Sequence, residues 1–387
     1  MSRPSPTRWL ALATALSLTL VACAGGAGDE QRSPGSGSSS PAEEGGDTPA
    51  PLVDPDEIVS GGPPPDGIPP IDDPKFFAPE EAGFVTDQEP VLAVEVNGQA
   101  KAYPLQILTW HEIVNDTIGG VPISVTYCPL CNTGIAFERP TIDGELLDFG
   151  TSGKLYNSNL VMYDRQTETY WAQATGQAIV GELTGEQLAF VPARILSFGD
   201  WKVDNPAGLV LSNDTGHARP YGENPYVNYD TSGDPFLFTG RRDTRLGLTD
   251  RVLGLEIDGD IVAFPYADLE ARAVGPWAVV ADEVGGRPII VIWKGGTTSA
   301  LDEPEIAFSR EVGAIAAFDP QVGRRLLTFE GTKEGIRDLE TGSVWNISGL
   351  AVSGPLLDER LEALVGIDSF WFDWAAFHPE TRIFGQE

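Results

Sequence analysis

The chain has 387 residues, with 25 Lys and Arg against 57 Asp and Glu, a formal charge of −32. Negative charge on that scale repels nucleic acid and anionic lipid headgroups, which argues against both as partners and favours solubility. Frequent Gly (44) and Pro (31) separate short apolar runs, so strands joined by turns are expected rather than long helices.

In chain order, Arg3 and Arg8 precede an apolar run from Trp9 to Ala22, and a cysteine follows. This is the charged region and apolar region of a signal peptide. The run falls short of the roughly 20 apolar residues a spanning helix needs. Leu20-Val21-Ala22-Cys23 has the small-residue pattern of a lipobox. Residues 1–23 therefore read as a lipoprotein signal peptide, with Cys23 lipidated. The expectation is an exported chain, held to the membrane through lipid at Cys23, with its folded part outside the cytoplasm. Residues 24–70 are rich in Gly, Ser, Pro, Asp and Glu. They bury too little apolar surface to offset their ordering entropy and read as a disordered tether.

The rest of the chain repeats itself. Val91-Leu92-Ala93-Val94-Glu95-Val96-Asn97-Gly98 has a counterpart in Val252-Leu253-Gly254-Leu255-Glu256-Ile257-Asp258-Gly259. Each is a strand-like run ending in Asn-Gly or Asp-Gly, the pairs that suit two-residue hairpin turns. In each a second strand follows and ends in aromatic-Pro, Tyr103-Pro104 and Phe264-Pro265. Gly119-Gly120 then matches Gly285-Gly286, and Asp164 to Trp171 parallels Asp338 to Trp345. Phe198-Gly199-Asp200-Trp201 loosely matches Phe372-Asp373-Trp374. The order is kept while the spacing drifts, which predicts two diverged copies of a β-rich module, 71–248 and 249–387, packed together. The fold class is mainly β with a few short helices; α+β is the alternative.

What both copies share reads as scaffold, and what the first alone carries is the candidate chemistry. The first has Trp110-His111-Glu112 and Cys128-Pro129-Leu130-Cys131 where the second has Ala271-Arg272-Ala273 and Trp293-Lys294-Gly295-Gly296. Tyr156-Asn157-Ser158-Asn159 has no equivalent. Cys128 and Cys131 are the only cysteines besides Cys23. Their two-residue spacer lets both sulfurs converge on one ion. In a thiol oxidoreductase that spacing would open a helix, whose N-terminus lowers the first thiol's pKa. Here a strand-like run follows, which favours metal. His111 is the expected third ligand, with Glu112 (or Asp116) or water as the fourth. Thiolate and imidazole together suit zinc, copper(I) or iron. Asn157, Asn159 and Arg165 are expected to line a small-molecule site. Asp164, kept as Asp338, reads as turn chemistry, and Trp171, Trp201, Trp345 and Trp374 as core.

Tyr103-Pro104-Leu105, Trp110 to Asp116, Thr126 to Cys131 and Tyr156 to Arg165 together resemble the bacterial and archaeal domain-of-unknown-function family numbered 3179. The likeness covers roughly 85–380. It implies an exported or anchored protein and no particular reaction. Similar chains often carry Gly where this one has Asn132. Three functions remain open on the sequence: metal binding through the Cys-x-x-Cys pair and His111, thiol–disulfide exchange, and a metal-free binding module stapled by a disulfide.

Overall fold

Asn97-Gly98 and Asp258-Gly259 turn their chains as their composition demands. Asn97 and Gly98 take φ of 50° and 76°, Asp258 and Gly259 of 50° and 82°. Positive φ at both central positions matches the right-handed twist of the flanking strands. Pro90–Val96 therefore pairs with Gln99–Pro104, and Arg251–Ile257 with Asp260–Pro265. The proline ending each hairpin opens a short helix, α1 (Leu105–His111) in the first half and α3 (Tyr266–Glu270) in the second. The next hairpins turn at Gly119-Gly120 and Gly285-Gly286. A Cβ on Gly119 would overlap the carbonyl oxygen of Val96, and one on Gly285 that of Ile257. Each second hairpin thus sits against the backbone of the first, which only glycine allows.

The computed structural model describes residues 49–386. The expected signal peptide and Cys23 lie outside the described residues, as does the first part of the expected tether. The fold is mostly β, with four short α-helices among the described residues. Three sheets in each half follow one strand order. In the first half, Ala193–Ser197, Pro90–Val96, Gln99–Pro104 and Leu209–Leu211 lie side by side. In the second, Ile367–Phe370, Arg251–Ile257, Asp260–Pro265 and Arg382–Ile383 do the same. Even the single parallel pairing recurs, Leu209 beside Lys101 and Val262 beside Arg382. A second sheet runs Phe190–Val191, Thr133–Glu138, Val121–Cys128, Ile113–Ile118, against Glu362–Ala363, Ala314–Asp319, Arg287–Lys294, Trp277–Val284. The third is built on Phe149–Tyr156, Asn159–Asp164, Tyr170–Ala172 and Gln177–Val180, against four shorter strands from Phe329 to Ser353.

The halves exchange parts of their cores. Phe370 and Phe372, at the start of α4 (Trp371–Phe377), pack among Cys128, Cys131, Ile135 and Met162 of the first half. Leu196, Phe198 and Trp201, around the start of α2 (Phe198–Asp204), pack among Ile290, Ile292 and Trp345 of the second. Each half thus completes the apolar burial of the other.

Part of the expected tether is not free. Ile58–Ser60 forms a strand on Phe149–Tyr156, and Ile71 bridges to Val114. Asp66 accepts from Tyr163 Oη at 2.9 Å and pairs with Arg165 at 3.3 Å. Composition alone reads this stretch as disordered because its few apolar residues have no partner until the third sheet supplies an open edge.

Candidate functional site

The strand Val121–Cys128 runs into a tight turn and returns as Thr133–Glu138, with Cys128 opposite Thr133. The turn is closed by Cys131 N–H donating to Cys128 O at 3.2 Å, and Asn132 takes φ of 54°. Asn tolerates this left-handed position better than most residues, and its side chain is fixed by Tyr127 Oη at 3.2 Å. A strand follows the second cysteine, as expected. The two sulfurs stand 3.1 Å apart, and both thiols are free and buried, 2% exposed at Cys128 and 0% at Cys131.

The roof comes from the turn Asn157-Ser158, where φ is 52° and 68°. Ser158 O accepts from Cys131 Sγ at 3.3 Å and lies 3.9 Å from Cys128 Sγ. Next in sequence, Asn159 Nδ2 reaches Cys131 Sγ at 3.4 Å, Gln173 Oε1 at 3.2 Å and Asp373 Oδ1 at 3.1 Å. Asn159 Oδ1 accepts from Ala174 N–H, which fixes the amide orientation.

Asp373 is the residue that changes the chemistry. It enters from α4 in the second half, held by Ser369 Oγ at 3.0 Å and by Phe370 N–H on Cys131 O at 2.8 Å. Burial lifts its carboxyl to about 7, against hydrogen bonds from Cys131, Ser369 and Asn159 that favour the charged form. Burial also pushes the Cys131 thiol up, and the neighbouring Cys128 and Asp373 push it further. The pair is therefore a protonated thiol beside a carboxyl poised near neutrality.

The second half shows what stands at the matching place. Lys294 ends the strand equivalent to the one Cys128 ends, and Asp200 holds the place of Asp373 on α2. Lys294 Nζ meets both Asp200 oxygens at 2.5 Å. One half has a thiol pair facing an acid from the other, and the other half has an ion pair in that geometry.

The expected metal-ligand set does not assemble. His111 Nδ1 lies 2.6 Å from Pro69 O and Nε2 lies 2.6 Å from Tyr221 Oη, so both ring nitrogens are already used. Burial lowers its pKa to about 4, keeping the ring neutral. Asp116 pairs with Lys101 at 2.7 Å and accepts from Tyr103 Oη. Glu112 lines a separate cavity. Among the described residues no three His, Cys, Asp or Glu side chains are grouped to hold a metal ion. The two sulfurs thus stand without the expected His111 and Glu112 beside them. The small-molecule set also divides. Asn159 belongs to the thiol site. Asn157 is a turn residue, and Arg165 is engaged by Asp66 and Asp72. Asp164 accepts from Thr167 N–H and Trp171 Nε1, as Asp338 does from Thr341 N–H and Trp345 Nε1, which is the turn role expected of both.

Sequence reasoning missed Asp373, Gln173 and the cavity residues Tyr226 and Tyr229. Asp373 is matched by Asp200, and a residue shared by both copies reads as scaffold. Tyr226 and Tyr229 lie in the irregular connection between the halves, which carries no motif.

No curated protein and no solved structure matches the chain significantly. The model of one family, described as "Protein of unknown function (DUF3179)", matches residues 65–381, nearly all of the folded chain. With the thiol turn, its Asn-bearing roof and Asp373 all inside that span, the chain belongs to this family of proteins of unknown function (DUF3179).

Proposed function

We propose that this chain performs thiol–disulfide redox chemistry with Cys128 and Cys131, in an exported body held to the membrane through Cys23. The observation that carries the reading is the carboxyl of Asp373 set against Cys131 in a thiol pair 3.1 Å apart. Buried cysteines with raised pKa values are ordinarily inert. A neighbouring group able to take the proton removes that obstacle. Asp373, near 7, is ionised often enough to accept it and basic enough to want it.

The exchange balances as follows. Cys128 attacks a substrate disulfide, its proton passing to the substrate sulfur that leaves as a thiol, and a mixed disulfide forms. Cys131 then attacks the Cys128 sulfur and gives its proton to Asp373, which passes it to the second substrate sulfur as that thiol leaves. Two S–H bonds become one S–S bond, and the substrate disulfide becomes two thiols. Closing the pair requires the sulfurs to move about 1 Å, to the ~2.05 Å of a disulfide. Outside the cytoplasm thiols that are neither metal-bound nor cycled are lost to oxidation, so export agrees with a pair in turnover.

The test is equilibration of the full chain with glutathione redox buffers, acid quenching and mass analysis of alkylated Cys128 and Cys131. A reversible pair is expected, with a potential more oxidising than the roughly −300 mV of structural disulfides. A pair that stays reduced throughout, or oxidised throughout, overturns the reading. Metal analysis of protein purified under reducing conditions separates the remaining reading. Less than stoichiometric metal is expected, and a chelator should leave the melting temperature unchanged. Stoichiometric zinc, copper or iron lost in a Cys128→Ser, Cys131→Ser variant would restore the metal site.

A further inference from the structure

A groove of 600 Å³ lies between the halves. That is within the usual range for small-molecule sites, about 300–1,000 Å³. Ala174 and Phe190 of the first half and Ile367, Trp374 and His378 of the second give it an apolar and aromatic wall. One carboxylate, Glu256, stands half-exposed in this wall, with Asp258 beyond it at the hairpin turn. Among the described residues no Lys or Arg pairs with Glu256; the base facing it is His378, with Nδ1 3.8 Å from Oε2. Burial holds that ring at about 4, so it is neutral at physiological pH and leaves the carboxylate uncompensated.

The duplication supplies a counterpart of this groove in the other half, and there it is filled. Leu188 N–H donates to Gly176 O as Leu361 N–H donates to Gly349 O, and Gln177 bridges to Gln187 as Leu350 bridges to Arg360. Gln187 thus holds the place of Arg360. Ile367 lies opposite Gly254 as Arg194 lies opposite Ala93, so Ile367 holds the place of Arg194. Glu256, opposite Ile261, holds the place of Glu95, opposite Ala100. At the filled position Arg360 Nη1 stands 3.9 Å from Glu95 Oε2. Arg194 Nη1 donates to Ser348 O at 3.2 Å, and its guanidinium lies 5.7 Å from the Phe318 ring centroid. Two guanidinium groups therefore occupy one copy of this place. The other copy has neither, keeps the carboxylate, and carries Phe190 where the filled copy has Ala363.

We infer that this groove binds a guanidinium-bearing molecule through Glu256, as Glu95 holds Arg360 in the opposite half. A guanidinium presents paired N–H donors in a plane that matches a carboxylate, and its faces lie well against aromatic rings such as Phe190. An apolar stem behind the charge covers Ile367 and Ala174. The cation also replaces the charge that His378, neutral here, does not supply. A free guanidinium compound and the arginine of a polypeptide present this same chemistry. The groove is lined by neither cysteine, so its ligand is independent of the thiol chemistry.

The probe is n-butylguanidinium, titrated calorimetrically into the full-length chain at low ionic strength. One saturable site per chain is expected, and n-butylurea, its neutral isostere, should give no saturable heat. Glu256→Gln should weaken binding about tenfold, the worth of one charge-assisted hydrogen bond. Gln187→Arg introduces the side chain that fills the other half and should abolish binding. Arg360 is already accommodated at the matching place, so this second variant keeps the test open if the Glu256 change unsettles the fold. A capped Ala-Arg-Ala tripeptide separates the two sources. Affinity within about tenfold of that for n-butylguanidinium assigns the groove to an arginine side chain, and weaker affinity assigns it to a free compound. Absence of saturable binding by both guanidinium probes overturns the inference. Binding that n-butylurea reproduces, or that both variants leave unchanged, overturns it as well, by tracing the heat to apolar contact or to the overall negative charge instead of Glu256.

Discussion

Glu112 and Asp373 are buried acids with displaced proton affinities, and they make the protein's stability depend on pH in a definite sense. Glu112 titrates at about 8 in the fold against an ordinary 4.5, and Asp373 at about 7 against 3.8. Asp368, buried and bonded to Tyr266, is raised to about 6. Between the two values the unfolded chain has lost a proton that the fold retains, so stability falls as pH rises through each window, at up to about 1.4 kcal/mol per pH unit per group. His111 and His378 act oppositely: burial sets both at about 4 against 6.5, so their contribution is lost as pH falls from 6.5 to 4. From pH 6.5 to 8, Glu112 and Asp373 lead the trend. The melting temperature should drop across that interval, and Glu112→Gln should flatten the drop. Parallel curves for the two proteins would mean that Glu112 is not held protonated. Asp373→Asn tests the other acid. Oxidation of the pair by glutathione disulfide should slow by about 100-fold or more and lose its rise with pH near 7. A merely structural side chain would change the rate without moving the profile. At this scale the thiols were legible, because a two-residue spacing is local. Asp373 was not, because it reaches Asn159 from 214 residues away.

Among the elements, the hairpins carry the clearest link from residue to structure. Gly98 and Gly119 both sit at positive φ, 76° and 55°. A Cβ on Gly98 meets nothing within 4 Å, while one on Gly119 overlaps Val96 O. Gly98→Ala should therefore cost only the left-handed strain, about 1–2 kcal/mol. Gly119→Ala should cost about 3 kcal/mol or more, because a backbone has to shift as well. Denaturant unfolding of the two variants compares them directly; equal losses would mean that the second hairpin does not bear on the first. Turns of this kind are legible in sequence because the constraint lies in two adjacent residues. The segment 58–70 is not legible in this way, for the opposite reason. Its order comes from a sheet edge at Phe149–Tyr156 and from Arg165, which ties down Asp66 and Asp72.

At the scale of the whole molecule, the exchange of core residues binds the halves into one folding unit. Phe370 and Phe372 fill the first core, and Phe198 and Trp201 fill the second. A charged anchor adds to this. Asp230, fully buried, accepts from Arg251, Arg310 and Ser299, and so fastens the connection that carries Tyr226 and Tyr229 to the second half. The described body, 49–386, should unfold in a single transition. Residues 49–248 alone should lack a cooperative melt, since their first core would lose Phe370 and Phe372 and expose the Cys131 side. A folded fragment with native-like near-ultraviolet dichroism would contradict this.

Sequence by itself determined the class of fold, the hairpin turns, the family and the thiol pair. Each is encoded in short runs, where turn chemistry, alternation and spacing act between near neighbours. Tertiary structure alone decided which groups those thiols meet. His111 is spent on Pro69 O and Tyr221, 42 and 110 residues away, and its place beside the sulfurs is taken by Asn159 and by an acid from the second half. Proton affinity follows from burial, and burial is a property of the assembled cores. The same cysteines therefore read as metal ligands along the chain, while in the fold they meet a carbonyl, an amide and a carboxyl.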